Sequence, residues 1–306
     1  MTPVSLPPQS LFASAETPFR RFLRDFFASR LAGVACLLLG ILLLAALFAP
    51  LISPQNPYDL AGLDVMDSRQ EPGQLSSDGK LTFLLGTDEQ GRDMLSAIFY
   101  GLRISLLVGF SSTAIALLMG LSLGLLAGYR GGRVEALIMR VADIQLSFPS
   151  ILIALILLAL TGQGISKIIL ALVLVQWAYY ARTARSAALV ERRKEYIEAA
   201  VGLGLSPARI IWRHLLPNCL PPLIVVSALQ VASAISLEAT LSFLGLGLPV
   251  TEPSLGLLIA NGFQYLLSGK YWMSFFPGLA LLLTVVSINL VADQLRDVLN
   301  PRLQTQ

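Results

Sequence analysis

An all-α polytopic membrane protein with six spans is the fold class this sequence predicts, and three observations predict it. The 306 residues are 55% hydrophobic and only 13% charged, whereas soluble globular domains carry about 25% charged residues. The charges cluster, leaving uncharged runs close to the roughly 20 apolar residues that a transmembrane helix needs. Lys and Arg then collect on alternate connecting segments, as cytoplasmic loops require.

The runs, in order, are residues 31–52, 104–129, 144–166, 168–181, 215–237 and 271–292. The third ends in TGQGIS, which reads as a turn. The fourth has 14 residues and spans only if Lys167 snorkels outward and the turn before it contributes. The fifth carries Pro217, Pro221 and Pro222 near its start, where proline costs a helix least. With the N-terminus inside, segments 1–30, 130–143, 182–214 and 293–306 hold 16 of the 22 basic residues. Both termini are therefore expected in the cytoplasm, and the net charge of +3 reports topology.

PFRRFLRDFFASR (18–30) sets Phe19, Phe22, Phe26 and Phe27 opposite Arg20, Arg21 and Arg24 at helical spacing. A helix lying in the inner headgroup layer explains this better than a nucleic-acid surface, so membrane lipid is an expected partner and nucleic acid is not. The first run has 22 residues, too long for the apolar core of a cleaved signal peptide. Cys36 and Cys219 stand far apart at or near membrane depth and read as small packing residues.

Residues 53–103 are rich in Asp, Gly, Pro and Ser and too long for a simple hairpin, so a small outer cap or scoop is expected. Within it, LLGTDEQGRDMLS (84–96) packs Asp88, Glu89, Arg92 and Asp93 beside two glycines. Asp88, Arg92 and Asp93 could contact a soluble partner outside the membrane. The stretch could equally be a helix start with Thr87 or Asp88 as N-cap, and the two readings are compatible. Arg130, Arg133 and Arg140 read as topology anchors, and Asp143 as the ion-pair partner of Arg140 or Arg182.

EATLSFLGLGLPVTEPSLG (238–256) cannot continue as one helix through Gly245, Gly247, Pro249, Pro253 and Gly256. Irregular backbone at membrane depth is tolerated only where it is buried in protein or lines a cavity. Glu238, Gly245 and Gly247 are therefore candidates for an outer gate or translocation path. Glu238, an acid inside a span, is either functional or held by a structural hydrogen bond to nearby backbone.

EYIEAAVGLGLSPARIIWRHLLPN (195–218) is the compact, turn-containing exception in an apolar chain. Ile197, Ala200 and Val201 give its first part an apolar stripe, and Gly202 or Gly204 supplies a stop. Ser206 then serves as an N-cap and Pro207 as the first residue of a second helix. Ile210, Ile211, Leu215 and Leu216 make one side of that helix apolar, and Arg209, Arg213 and His214 make the other polar. Either it docks on a cytoplasmic partner or it is an ordinary solvated loop helix.

The segment resembles the cytoplasmic-loop pattern of ABC importer membrane subunits: EAA, three residues, G, nine residues, then I-x-L-P. Here these are Glu198, Ala199, Ala200, Gly204, Leu216 and Pro217, with His214 at the isoleucine position in the RHLLP form of the peptide-transport branch. Residues 84–109, LSFLGLGLP (241–249) and NLVADQLRDVLNPR (289–302) also resemble the C-type permease of dipeptide, oligopeptide and nickel importers. The likeness covers roughly residues 19–303.

The resemblance implies a type I ABC importer fold: an N-terminal segment (1–30), a first span (31–52), a periplasmic scoop (53–103), and a transmembrane domain (104–302) with a coupling loop at 182–217. It implies that Glu198, Ala199, Gly204 and the helix from Ser206 to His214 seat in an ATPase subunit. It implies assembly with a homologous permease, two cytoplasmic ATPases and a periplasmic solute-binding protein in a bacterial inner membrane. It implies no catalysis and no cofactor in this chain. ATP and Mg would belong to the partners, since the sequence has no G-x-x-x-x-G-K-[ST] loop, no H-E-x-x-H and one histidine. Dipeptides or oligopeptides are the expected solutes, with nickel, glutathione or peptide-like antibiotics as alternatives. An ion-coupled secondary transporter would need buried carboxylates at the midplane, where only Glu238 is available. A membrane hydrolase would need paired acids, a nucleophile motif or metal ligands.

Overall fold

The computed structural model describes residues 17–59 and 62–299; residues 1–16, 60–61 and 300–306 of the expected segments lie outside the described residues. Helix α1 (Pro18–Phe27) leads at once into α2 (Arg30–Leu47), which Ser29 caps by accepting from the Ala32 amide at 3.3 Å. On α1, Phe26 turns inward while Phe19 and Phe27 stay exposed. A short α3 (Ala49–Ile52) ends the first run.

The outer segment follows and holds a two-stranded antiparallel hairpin, β1 (Gln74–Leu75) with β2 (Thr82–Phe83), in the register Gln74 opposite Phe83. Its turn is organised by Asp78, which accepts from Ser76 Oγ at 2.6 Å and the Lys80 amide at 3.0 Å. Those two hydrogen bonds lead in drawing the Asp78 carboxyl down to about 2. Trp272 Nε1 donates to the Thr87 carbonyl at 3.2 Å and Lys270 Nζ to the Arg69 carbonyl at 3.0 Å, tying the segment to the start of the last helix.

Among the described residues, five helices are long and apolar enough to cross a membrane: α2, α4 (Met94–Arg130), α7 (Ile165–Glu191), the continuous helix Pro207–Phe243, and α12 (Trp272–Leu299). A sixth span exists if α5 (Gly132–Leu146) and α6 (Ser150–Thr161), which meet at 89°, are one bent crossing. The third run, 144–166, is thus not a single helix. Pro149 has no amide hydrogen to continue a helix and bends the residue before it towards extended backbone, so the chain turns at 147–149.

Charge misplaced the other ends. The fourth run is not short: α7 has 27 residues and carries Lys167, Arg182 and Arg185 within it. Arg182 pairs with Asp143 at 2.5 Å, and Arg185 Nε donates to Glu135 at 2.7 Å. Residues 94–103, assigned to the scoop, form the first turns of the 37-residue α4. A charged side chain ends a hydropathy run, but a helix continues wherever that side chain reaches water or a partner.

Helices α4 and α7 form the spine. Gly120, Gly124 and Gly128 recur every fourth residue and lie against Ala181, Ala184 and Ala188 of α7. A Cβ at Gly120 would stand 2.4 Å from the Trp177 carbonyl, and one at Gly124 2.4 Å from that of Ala181. Small residues at this spacing let two backbones approach within a membrane, where close packing rather than the hydrophobic effect holds helices together. A second core joins Met94, Leu102, Ile235, Leu255 and Trp272 beneath the outer segment.

Candidate functional site

The segment 195–218 folds as an elbow. Helix α8 (Glu195–Gly202) ends in a Schellman motif: the Leu205 amide donates to the Ala200 carbonyl at 3.2 Å and the Gly204 amide to that of Val201 at 2.9 Å. The stop is Gly204, whose φ of +71° is left-handed, and not Gly202. Ser206 Oγ accepts from the Arg209 amide at 3.4 Å and Pro207 opens α9 (Pro207–Arg209). A π-turn (Ile210–Leu215) then joins α9 without a break to α10 (Leu216–Phe243). The register shift falls just before Pro217, which lacks the amide an α-helix would use, and Asn218 Nδ2 donates to the His214 carbonyl at 2.8 Å.

Ile197, Ala200 and Ile210 are buried together against Tyr129 and Leu205, fastening the elbow to the end of α4. Arg192 stacks over the Tyr129 ring at 5.6 Å. Tyr196 donates to Glu191 at 2.8 Å, and burial followed by that carboxylate pushes its hydroxyl up to about 12. Glu198, Ala199, Gly204, Ser206, Pro207, Arg209, Arg213 and Pro217 are exposed, whereas His214 is half-buried and Ala200 faces inward. Val201, expected on the inner stripe, faces out with Leu203 and Trp212. The elbow therefore offers an apolar patch bordered by both signs of charge.

The interrupted segment begins later than expected, since α10 remains helical to Phe243. Glu238 is fully buried and accepts from Ser105 Oγ of α4 at 2.9 Å and from Ser242 Oγ at 2.8 Å. Serine hydroxyls, one of them from another helix, hold this carboxyl where the sequence left open a hydrogen bond to nearby backbone. Gly247 lies where a Cβ would be 2.2 Å from Ser242 Oγ, and the Gly164 amide donates to its carbonyl at 3.2 Å. Gly245 is exposed with φ +77°, and its carbonyl accepts from Gln163 at 2.8 Å. Helix α11 (Leu255–Phe263) returns, with Gly256 pressed on the Ala239 carbonyl.

In the outer segment, Asp88, Arg92 and Asp93 are buried, which corrects their expected contact with an outside partner. Arg92 Nε donates to Asp88 at 2.6 Å, and Arg92 Nη1 reaches the Val250 carbonyl at 3.4 Å. The N-cap of α4 is Asp93 rather than Thr87 or Asp88; it accepts from the Ser96 amide at 2.8 Å. Burial pushes the Asp93 carboxyl up against the downward pull of its Ser96 hydrogen bonds.

Residues 120–305 match the family described as binding-protein-dependent transport system inner membrane component. Residues 17–72 match the N-terminal TM domain of oligopeptide transport permease C. The chain belongs to this permease family. It is 38% identical over 288 residues to the di/tripeptide transport system permease protein DppC of Pseudomonas aeruginosa, covering 94% of this chain and 93% of the relative. It is 41% identical to the dipeptide transport system permease protein DppC of Escherichia coli K12, covering 94% of each. A solved MetNI methionine ABC transporter chain in an inward-facing conformation shares the fold at a TM-score of 0.56 and 21% identity, covering 68% of this chain and 98% of that one.

One feature of this permease was not read from the sequence. A cleft of about 270 Å³ opens between α6, α7 and α10, lined by Gln176, Tyr179, Gln230, Ser233, Ser236 and Thr240 among others. The signal was present, since positions 230, 233, 236 and 240 place polar groups along one side of an otherwise apolar run.

Proposed function

We propose that this permease is the membrane-spanning subunit of an ATP-driven importer of dipeptides or oligopeptides. It pairs with a homologous permease, two cytoplasmic ATPases that hold ATP and Mg, and a periplasmic solute-binding protein. Both termini lie in the cytoplasm, and α1 rests in the inner headgroup layer. The elbow, with Glu198, Ala199, Gly204, Ser206, Pro207, Arg209 and Arg213 at its surface, seats in the ATPase. The segment 244–254, with Gly245 and Gly247, serves as the outer gate. The peptide reading draws on the relatives at 38% and 41% identity.

One observation supports the coupling role above the others. The elbow exposes Val201, Leu203 and Trp212 yet is continuous with α10 through the π-turn and is packed on α4 by Ile197, Ala200 and Ile210. An exposed apolar patch marks an interaction site, and a patch welded to two long helices transmits displacement to both. Closure of the ATPases would then shift a population of outward and inward forms.

The test is uptake of a labelled dipeptide into proteoliposomes holding the whole assembly, with and without ATP. Uptake driven by ATP is expected; uptake that persists without ATP and follows a proton gradient would overturn the proposal. Gly204→Glu separates coupling from insertion. Nothing lies within 4 Å of a Cβ there, so the change costs about 1–2 kcal/mol of left-handed strain and leaves the chain inserted while uptake falls.

A further inference from the structure

Resting on the importer reading, we propose that the cleft between α6, α7 and α10 is the surface along which solute crosses. It holds a peptide by its backbone amide groups, not by its side chains or charged ends.

The cleft runs from the middle of α7 along the C-terminal half of α10. At a rise of 1.5 Å per residue, Gln176 and Tyr179 lie within about 3 Å of the mid-length of the 27-residue α7, and Gln230, Ser233, Ser236 and Thr240 follow one another up the C-terminal half of the continuous helix Pro207–Phe243. Further down α10 the exposed residues include Ile224 and Leu229, which suit lipid or an apolar subunit contact. In the upper half Ser233 and Thr240 are the exposed residues between Gln230 and Thr240. Turned to hydrocarbon, this face would strand the unpartnered Gln230 amide at a cost of several kcal/mol. It is therefore matched to water or to a polar occupant.

Its hydrogen-bonding groups match a peptide bond. Gln176 is 3% exposed and fixed, accepting from Thr113 Oγ1 at 3.4 Å and donating to the Gln230 carbonyl at 3.1 Å. Beside it, Gln230 Nε2 is shielded from solvent and has no partner, leaving a donor. Ser236 spends its proton on the Ala232 carbonyl at 2.9 Å and Thr240 on that of Ser236 at 2.8 Å, so their oxygens remain as acceptors. One amide donor and two hydroxyl acceptors complement the C=O and N–H of a peptide unit. Among the described residues no Asp, Glu, Lys or Arg lines the cleft. Charged termini and side chains thus find no counter-ion, and binding stays weak enough for release. At about 270 Å³ the cleft falls just short of the 300–1,000 Å³ of ordinary ligand sites, which fits half of a path completed by the homologous subunit.

The test uses the whole assembly in proteoliposomes, with Cys36→Ala and Cys219→Ala as background and Ser233→Cys or Thr240→Cys added. A charged, membrane-impermeant thiol reagent should label both positions during ATP turnover, and saturating dialanine should slow the labelling. Positions that remain unlabelled in every nucleotide state would show the cleft sealed against the partner permease and overturn the proposal. Labelling indifferent to dialanine would also overturn it. Gln230→Leu should lower uptake about fivefold, the worth of one hydrogen bond, and equally for dialanine, diphenylalanine and Lys-Glu. A loss confined to one of these would assign Gln230 to side-chain recognition and overturn the backbone claim. If Gln230→Leu fails to assemble, the labelling decides alone. A Ser233→Cys assembly that labels, beside a wild-type assembly that imports no dipeptide with ATP, would instead sink the importer reading.

Discussion

The Arg92 guanidinium stands 2.6 Å from the Asp88 carboxylate, with its side chain wholly inaccessible and that of Asp88 nearly so. The Asp88 carboxylate also accepts from the Arg92 amide at 3.0 Å and the Gln90 amide at 2.8 Å, so this one pair folds the loop on which α4 begins. Removing one member of a buried pair strands the other charge, at a cost of about 3–5 kcal/mol. Arg92→Met should therefore lower the thermal midpoint of the purified chain sharply, and Asp88→Asn with Arg92→Met should recover part of the loss. A single replacement that leaves the midpoint unchanged would contradict the burial.

Gly124→Leu should separate α4 from α7, because even a Cβ would meet the Ala181 carbonyl at 2.4 Å. Overpacking of this kind costs about 1–3 kcal/mol, and backbone is the obstacle here. The expected readout is a lower midpoint in detergent with membrane targeting retained. Gly33→Leu, where nothing lies within 4 Å, is the control and should change little.

The hairpin should respond to acid through Asp78. Its folded-state carboxyl is depressed to about 2, so its contribution is present above the ordinary carboxylate value and is lost as pH falls from there through about 2. The protection factors of the Lys80 and Leu81 amides, taken against their intrinsic exchange rates, should fall over that window and stay level across it in Asp78→Asn. A fall confined to higher pH would assign the effect to another group.

Trp212 is 58% exposed and Leu203 79%. Trp212→Ala should leave the midpoint of the isolated chain within about 0.5 kcal/mol of wild type. It should nonetheless weaken recovery of the ATPase subunits by more than tenfold, the range of an aromatic interface anchor. Full recovery would remove the elbow as their docking surface.

The elbow was legible because its turn chemistry is local: Gly204, Ser206 and Pro207 each act within four residues of themselves. Helix ends were less legible: the Asp143–Arg182 pair was one of the two the sequence offered, but Arg185 finds Glu135 fifty residues away on α5, and hydropathy alone does not show that a helix runs on past such pairs. Glu238 was recognised as unusual, but Ser105 lies 133 residues distant and no spacing rule connects them. The 89° corner did leave a trace in Pro149, and the α4–α7 contact another in GLSLGLLAG (120–128). Both are short signals that a search for long apolar runs passes over.

Three successive turns of α4 present bare main chain to α7. Two rods meshed so tightly cannot slip past each other by a fraction of a turn without driving carbonyl oxygens into methyl groups. They must travel as one beam. A displacement of the elbow, which is packed on the end of α4, would therefore carry α4 and α7 together.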